Sequence, residues 1–231
     1  MFEHVPDQPP TLSTLTIRPY RESDERGWLR CSVLSFLETA YYDSVFRHKP
    51  RYDHPAIELV AEHNGAIVGV IDVECEEIPG TVCTVCGADD PTMLGGMIWH
   101  LAVHPDFQRR GTGGRLLREA QRRAMQRGIG CFEAWTRDDA GTLRWYESHG
   151  FEWVSSYLHV YLQGKDEVQQ AIQSSLPQLT PVQVFAHYAG ADRDAMRARF
   201  ERVHDCTCFR RYFSDDRTRS QLSAGAQSLA K

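Results

Sequence analysis

The sequence predicts a mixed α/β domain, and three observations carry that reading. Strand-like and helix-like segments alternate along most of the chain. Two apolar runs are joined by Asn64-Gly65, the strongest short hairpin signal. An apolar strand from about Met97 to Val103 then leads through a glycine-rich turn into an arginine-studded helix. With 231 residues, 42% of them hydrophobic, the chain can bury one core of ordinary size plus an appendage.

Taken in order, Leu15-Thr-Ile-Arg-Pro19 alternates like an opening strand, and Ser23 is the expected N-cap of a helix. Its apolar residues, Leu29, Val33, Phe36 and Leu37, recur at helical spacing. Residues 57–63 and 66–73 form the two arms of the hairpin. The stretch 77–93, rich in Gly, Pro and Asp, reads as a long loop. After the glycine turn, Leu116, Leu117, Ala120 and Ala124 make the buried stripe of a helix that stops at Gly128, where a left-handed residue is expected. Cys131–Thr136 and Trp153–Leu162 read as further strands. Beyond Gly164 the pattern predicts helix over 165–175, strand over 181–188 and helix over 193–203 through Met196, Phe200 and Val203. Residues 220–231 are expected to be disordered.

Net charge is −5, which argues against a nucleic-acid partner. No apolar run is long enough for a membrane span, and Met1-Phe-Glu-His-Val-Pro lacks a signal pattern, so a cytoplasmic protein without a membrane partner is expected. Seven cysteines, an odd number, suggest reduced thiols. Cys83-Thr-Val-Cys86 has the spacing of half a zinc site that His204, Cys206 and Cys208 could complete. Ordinary buried cysteines and no metal are the commoner outcome.

The turn itself is an anion cradle. Gly111, Gly113 and Gly114 let the backbone bend and present N–H groups at a helix N-terminus, where the dipole favours negative charge. A P-loop would need Gly-Lys-Ser or Gly-Lys-Thr where this chain has Gly113-Gly-Arg-Leu. A dinucleotide turn would need glycine at Leu116 and a shorter approach than residues 105–110 provide, although Glu133 lies about 20 residues on. Seven arginines against Glu119 crowd the stretch 109–127. Arg109, Arg110 and Arg115, nearest the turn, are the candidates for phosphate contact, and Arg118, Arg122, Arg123 and Arg127 suit a solvated face.

Gln108-Arg-Arg-Gly-Thr-Gly113, preceded by Leu101-Ala-Val-His-Pro105, resembles the Q/R-x-x-G-x-G/A motif of the GCN5-related N-acetyltransferases (GNAT). Tyr146-Glu-Ser-His-Gly-Phe151 resembles the tyrosine and Gly-Phe ending found downstream in that family. The resemblance covers roughly residues 14–163. It implies an acetyltransferase domain there, flanked by an N-terminal tail (1–13), an extension over 164–219 that packs on the core or on a second copy of the chain, and a tail (220–231). It also implies a central, mostly antiparallel twisted sheet whose fourth and fifth strands splay and admit acetyl-CoA. Leu101, Ala102 and Val103 would then offer backbone groups to the cofactor, with Val103 N–H facing the thioester carbonyl. Residues Gln108, Arg109, Arg110, Gly111, Thr112, Gly113 and Gly114 would hold its phosphates. Tyr146 would protonate the departing thiolate.

The base is less determined. Alternation along the strand puts Met97, Trp99, Leu101 and Val103 on one face and His100 on the other, unless a bulge reverses the parity. Relatives carry a glutamate or histidine where this chain has Met97 or Trp99. Glu133 is therefore the substitute, with Asp72, Glu74 and His100 as alternatives. Tyr41, Tyr42, Trp99 and Trp135 beside acidic residues suit a cationic amine, so a small-molecule amine is preferred over a protein acceptor. Asp139 stands where relatives often place an asparagine that contacts pantetheine. The expected reaction is acetyl transfer to a primary amine by direct attack in a ternary complex. A non-catalytic acyl-CoA sensor is the alternative.

Overall fold

In the computed structural model residues 15–213 are described; the expected tails 1–13 and 220–231 lie outside them. The chain divides into two units, Met1–Glu77 with Ile98–Ile129 and Ile78–Met97 with Gly130–Lys231.

In the first unit, β1 (Thr16–Pro19), β2 (Ala56–His63) and β3 (Ala66–Cys75) pair antiparallel. The β2–β3 turn places Asn64 (φ 49°) and Gly65 (φ 79°) in the left-handed region, as a two-residue hairpin loop that matches strand twist requires. The last residues of β4 (Leu94–Val103) belong here too, followed by α2 (Thr112–Met125). As expected, α2 buries Leu116, Leu117, Ala120 and Ala124. It lies so close to β3 that a Cβ on Gly69 would meet Leu116 Cδ1 at 3.0 Å and Thr112 Cγ2 at 3.2 Å. Gly128 ends the helical region at φ 80°.

Helix α1 (Glu25–Phe36) corrects two expectations. A 3₁₀ turn, Glu22–Asp24, precedes it, so Asp24 rather than Ser23 stands at the N-cap. Arg18 holds the Asp24 carboxylate at 2.6 Å and Glu62 at 2.6 Å, which fixes the turn against the hairpin. The buried stripe is Trp28, Cys31, Ser32 and Ser35; of the apolar residues expected there, Leu29 and Phe36 pack partly buried against Trp28 and Cys31, and Leu37, past the helix end, is exposed. Small residues on that stripe let the helix approach β3, and Ser35 Oγ satisfies itself on Cys31 O at 2.6 Å.

In the second unit, β5 (Ile129–Arg137), β6 (Glu152–Gln163), β7 (Gln183–Tyr188) and β8 (Arg202–Tyr212) accompany α3 (Ala140–Ser148), α4 (Gly164–Ala171) and α5 (Arg193–Arg199). The helix expected to run to Val203 stops at Arg199, and 202–212 is a strand instead. Met196, Phe200 and Val203 do reach one cluster, with Leu158, Val160 and Val168, but from a helix, its end and a strand in succession. Alternating Val203, Asp205, Thr207 and Phe209 with Cys206 and Cys208 suits a strand buried on both faces. The strand pairs with β5 (Cys131↔Tyr212 to Arg137↔Cys206) and with β6 (Glu152↔Arg210 to Tyr161↔Arg202). Residues beyond Gly164 therefore supply an interior strand of this unit's sheet, β5-β8-β6-β7, whereas among the described residues β7 pairs with β6 alone.

Because β8 satisfies the inner edges of both β5 and β6, a chain truncated after Arg199 should lose the second unit's cooperative fold, not merely an appendage. The expected outcome is aggregation or loss of a cooperative thermal transition by circular dichroism; a soluble truncated chain with an unchanged melt would contradict this assignment.

Candidate active site

In the first unit, β4 ends at Val103 and the chain turns back on itself. Phe107 N donates to His104 O (2.8 Å) and Gln108 N to Pro105 O (3.2 Å), while Gln108 Nε2 reaches back to Val103 O (3.0 Å) and Thr112 Oγ1 to Phe107 O (3.2 Å). Arg109 (φ 55°) and Gly111 (φ 80°) are both left-handed, and Gly111 is the N-cap of α2. Arg115 N makes the bond to Gly111 O (3.0 Å), so the N–H groups of Thr112, Gly113 and Gly114 precede the first helical hydrogen bond. This is the geometry of an anion cradle.

Arg115, expected near it, has other work, and so do three arginines expected on the solvated face. Arg115 Nη2 donates to Leu15 O (2.9 Å), Arg122 and Arg123 hold Glu119 (2.7 Å each), and Arg127 Nη1 donates to Ala56 O (3.1 Å). Arg109 and Arg110 flank the turn, the latter 5.9 Å from the Phe107 ring.

The same unit buries a charged cluster that composition and spacing do not announce. Lys49, from the coil between α1 and β2, places Nζ 3.1 Å from Asp72 Oδ2 and bonds Glu58. It also lies over the rings of Tyr20 (5.0 Å), Trp28 (5.5 Å) and Tyr52 (5.0 Å). Tyr52 Oη donates to Asp72 Oδ2 (3.0 Å) and lies 3.1 Å from His100 Nδ1; with its proton on Nδ1, His100 completes a chain from β4 through Tyr52 to β3. The His100 ring packs edge-on to Trp28 and Phe46. Asp72 Oδ1 has no hydrogen-bond partner among the described residues.

Burial pushes the Asp72 carboxyl up to about 6 against the pull of Lys49, and burial with Lys49 pushes His100 down to about 4. The signs oppose. Asp72 favours the folded state when protonated, a contribution lost as pH rises from its ordinary 3.8 through about 6. His100 favours it when neutral, a contribution present above 6.5 and lost as pH falls through about 4. Next along β3, Glu74 accepts from His54 N (3.0 Å) and from the half-exposed Trp99 indole (2.7 Å). Neighbouring side chains of β4, Trp99 and His100, thus both reach residues of one β3 parity, Glu74 and, through Tyr52, Asp72. Simple alternation does not predict that. Tyr41 packs on Phe36 (5.6 Å) and Tyr42 is exposed.

The second unit holds the remaining candidates. Glu133 is fully buried and accepts from Thr84 N (2.7 Å), Thr84 Oγ1 (2.8 Å), Val85 N (2.8 Å) and Trp135 Nε1 (2.7 Å), so the carboxylate's work there is to fix the segment 83–86. Tyr146 is buried on α3, stacked on Phe209 (5.3 Å) and edge-on to Phe151 (5.0 Å). Asp139 caps α3 by accepting from Thr142 N (2.9 Å). Sequence reasoning missed Lys49 and Tyr52; the only hint was a basic, aromatic coil, Arg47-His-Lys-Pro-Arg-Tyr52.

Removing the ammonium alone strands a buried carboxylate, so Lys49→Met should cost about 3–5 kcal/mol in denaturant unfolding. Asp72→Asn in the same chain should recover much of the loss. Additive single-variant effects would show that the two groups are not coupled.

Residues 55–153 match the acetyltransferase (GNAT) domain family. A curated acetyltransferase of Pectobacterium atrosepticum is 29% identical over 145 residues, 61% of this chain and 89% of that protein. Among solved structures, the ribosomal-protein-S18-alanine N-acetyltransferase of Escherichia coli is similar in fold, with TM-score 0.50 and 12% identity over 87% of this chain and 97% of that one. So is yncA of Salmonella typhimurium, solved with its cofactor acetyl-CoA, with TM-score 0.50 and 18% identity over 88% and 96%. No helix among the described residues is long and apolar enough to cross a membrane. The motif at 108–113, the cradle it builds and these matches agree: residues 55–153 form an acetyltransferase (GNAT) domain.

Proposed function

We propose that the protein moves an acetyl group from acetyl-CoA to a primary amine by direct attack in a ternary complex. The amine nitrogen bonds the thioester carbonyl carbon, the C–S bond breaks, the nitrogen loses a proton and the coenzyme thiolate gains one. The observation that carries this reading is the buried Asp72–Tyr52–His100 chain, whose His100 lies on the strand that runs into the cradle. A carboxyl poised near 6 is matched to accepting a proton at neutral pH. Asp72 is itself fully buried, so the proton reaches it through Tyr52 and His100. Glu133, with four donors on its oxygens, is better suited to positioning than to proton transfer.

Cofactor contact is assigned to Leu101, Ala102 and Val103 and to 108–114, and thiolate protonation to Tyr146, on the family motifs. Trp99, pinned by Glu74 and half exposed, and Tyr42 support a cationic small-molecule acceptor. The Escherichia coli relative is named for a ribosomal-protein acceptor, so the amine panel must include peptides.

Two measurements test the proposal. Gly113 is helical, unlike Gly111, so Gly113→Leu adds bulk over the cradle without backbone strain. Calorimetry should show acetyl-CoA binding weakened about tenfold or more with the melting temperature held; unchanged affinity would remove the cradle from the cofactor site. Thiol release from acetyl-CoA across the panel should be amine-dependent, with kcat/KM falling as pH drops through about 6 because Asp72 is then protonated. Asp72→Asn should abolish that limb and lower kcat by about 10²–10⁴-fold, and Tyr146→Phe, which keeps the ring stack, should lower kcat by a similar factor. Cofactor binding without turnover for any amine would favour the acyl-CoA sensor.

A further inference from the structure

The second unit contains a set of soft ligands that acetyl transfer does not use. Cys83 and Cys86 sit on the segment between β3 and β4, which has neither helix nor strand over 76–93. Their sulfurs and a Glu133 carboxylate oxygen all lie within 4.8 Å of one another. Cys131, two residues before Glu133 and on the same face of β5, packs in one buried cluster with Cys83 and Cys86, although its sulfur lies outside that set of three. All four residues are buried, and none of the cysteines is in a disulfide. His204, Cys206 and Cys208, the partners that spacing suggested, are not in the group; His204 Nδ1 instead meets Asp138 at 2.9 Å.

Two further features shape the place. A Cβ on Gly95 would come within 2.7 Å of Cys83 Sγ and 2.8 Å of Cys86 Cβ, so only glycine lets β4 press against the pair. From the other side, Arg210 Nη1 donates to Val85 O (3.2 Å) and Tyr212 Oη to Cys86 O (3.3 Å). The Cys-x-x-Cys turn is thus clamped at its backbone while its thiols face inward.

We propose that Cys83, Cys86 and Glu133 bind one thiophilic divalent cation, with Cys131 moving in as the fourth ligand and zinc the best match to three thiolates and one carboxylate oxygen. Zinc–sulfur bonds of about 2.3 Å set tetrahedral sulfurs about 3.7 Å apart, so Cys83, Cys86 and Glu133 need to close by no more than about 1 Å. One Glu133 oxygen turns to the metal and the donors on the other persist as outer hydrogen bonds that hold the ligand. Binding releases three thiol protons to solvent and involves no change of oxidation state. Four protein ligands leave no open position, so the ion is structural: it ties an 18-residue coil to β5.

The test is metal content of the full chain, expressed with added zinc sulfate and desalted. Mass spectrometric analysis should find about one zinc per chain, falling to about a tenth or less in Cys83→Ser/Cys86→Ser and staying near one in Cys31→Ser, a buried thiol of α1. Should the double variant fail to fold, cobalt added to metal-stripped wild type should give a thiolate-to-metal charge-transfer band and the intense visible bands of a tetrahedral site. A folded wild type with no zinc and no cobalt spectrum would overturn the proposal. So would an unchanged stoichiometry in the double variant, or metal-free protein carrying a Cys83–Cys86 disulfide. None of these outcomes bears on acetyl transfer, which depends on the cradle and on Asp72.

Discussion

Asp72 lies in the middle of β3 with no exposure to solvent, and a bare carboxylate there would cost several kcal/mol. Lys49 supplies the counter-charge, and its own desolvation is offset by Glu58 and by the faces of three aromatic rings. Much else in the first unit follows from this pair. The coil between α1 and β2 has no regular structure of its own, yet it is fixed at Lys49, at Tyr52 and at His54, whose N–H is taken by Glu74. Trp28 and His100 meet edge-on in the same place, so α1, β3 and β4 are registered around one buried charge.

The pairing is incomplete, and that is its chemical interest. Lys49 and Tyr52 both engage Oδ2, which leaves Oδ1 buried without a partner. Desolvation therefore outweighs the salt bridge and the carboxyl holds its proton to about 6. His100 experiences the same burial with the opposite sign and stays neutral. Along β4 this arrangement gives way to the turn at 104–111, where backbone N–H groups and a helix end favour negative charge. One strand thus runs from the network proposed to take the proton to the loop proposed to hold the anion.

What the sequence displayed were local features. The Asn64-Gly65 turn, the apolar stripe of α2 and the glycines from 111 to 114 all act through neighbours a few residues away, and each is where its spacing predicts. Long-range interactions were not legible. Lys49 is a single lysine in a coil, and nothing nearby says that it meets Asp72. The buried face of α1 sets Cys31, Ser32 and Ser35 beside Trp28, with Leu29 and Phe36 at its margin, while Leu37 falls past the helix end and is exposed, so helical spacing of large apolar residues found only part of that face. Strand β8 was hidden because Met196, Phe200 and Val203 keep helical spacing across a helix end, and the cluster they join is assembled by the fold rather than by one element. Glu133 was read as the substitute base, but its carboxylate has four donors, from Thr84, Val85 and Trp135, three of them about 50 residues away in sequence.

The central claim is that Asp72 is a buried carboxyl poised near neutrality. The most direct measurement is its own titration, followed by the side-chain carboxyl carbon resonance in ¹³C-labelled protein and assigned by comparison with the Asp72→Asn spectrum. A midpoint near 6, with His100 remaining neutral over the same range, is the predicted result. A midpoint at or below the ordinary 3.8 would mean that Lys49 holds Asp72 as a permanent anion and that the proton of the attacking amine goes elsewhere.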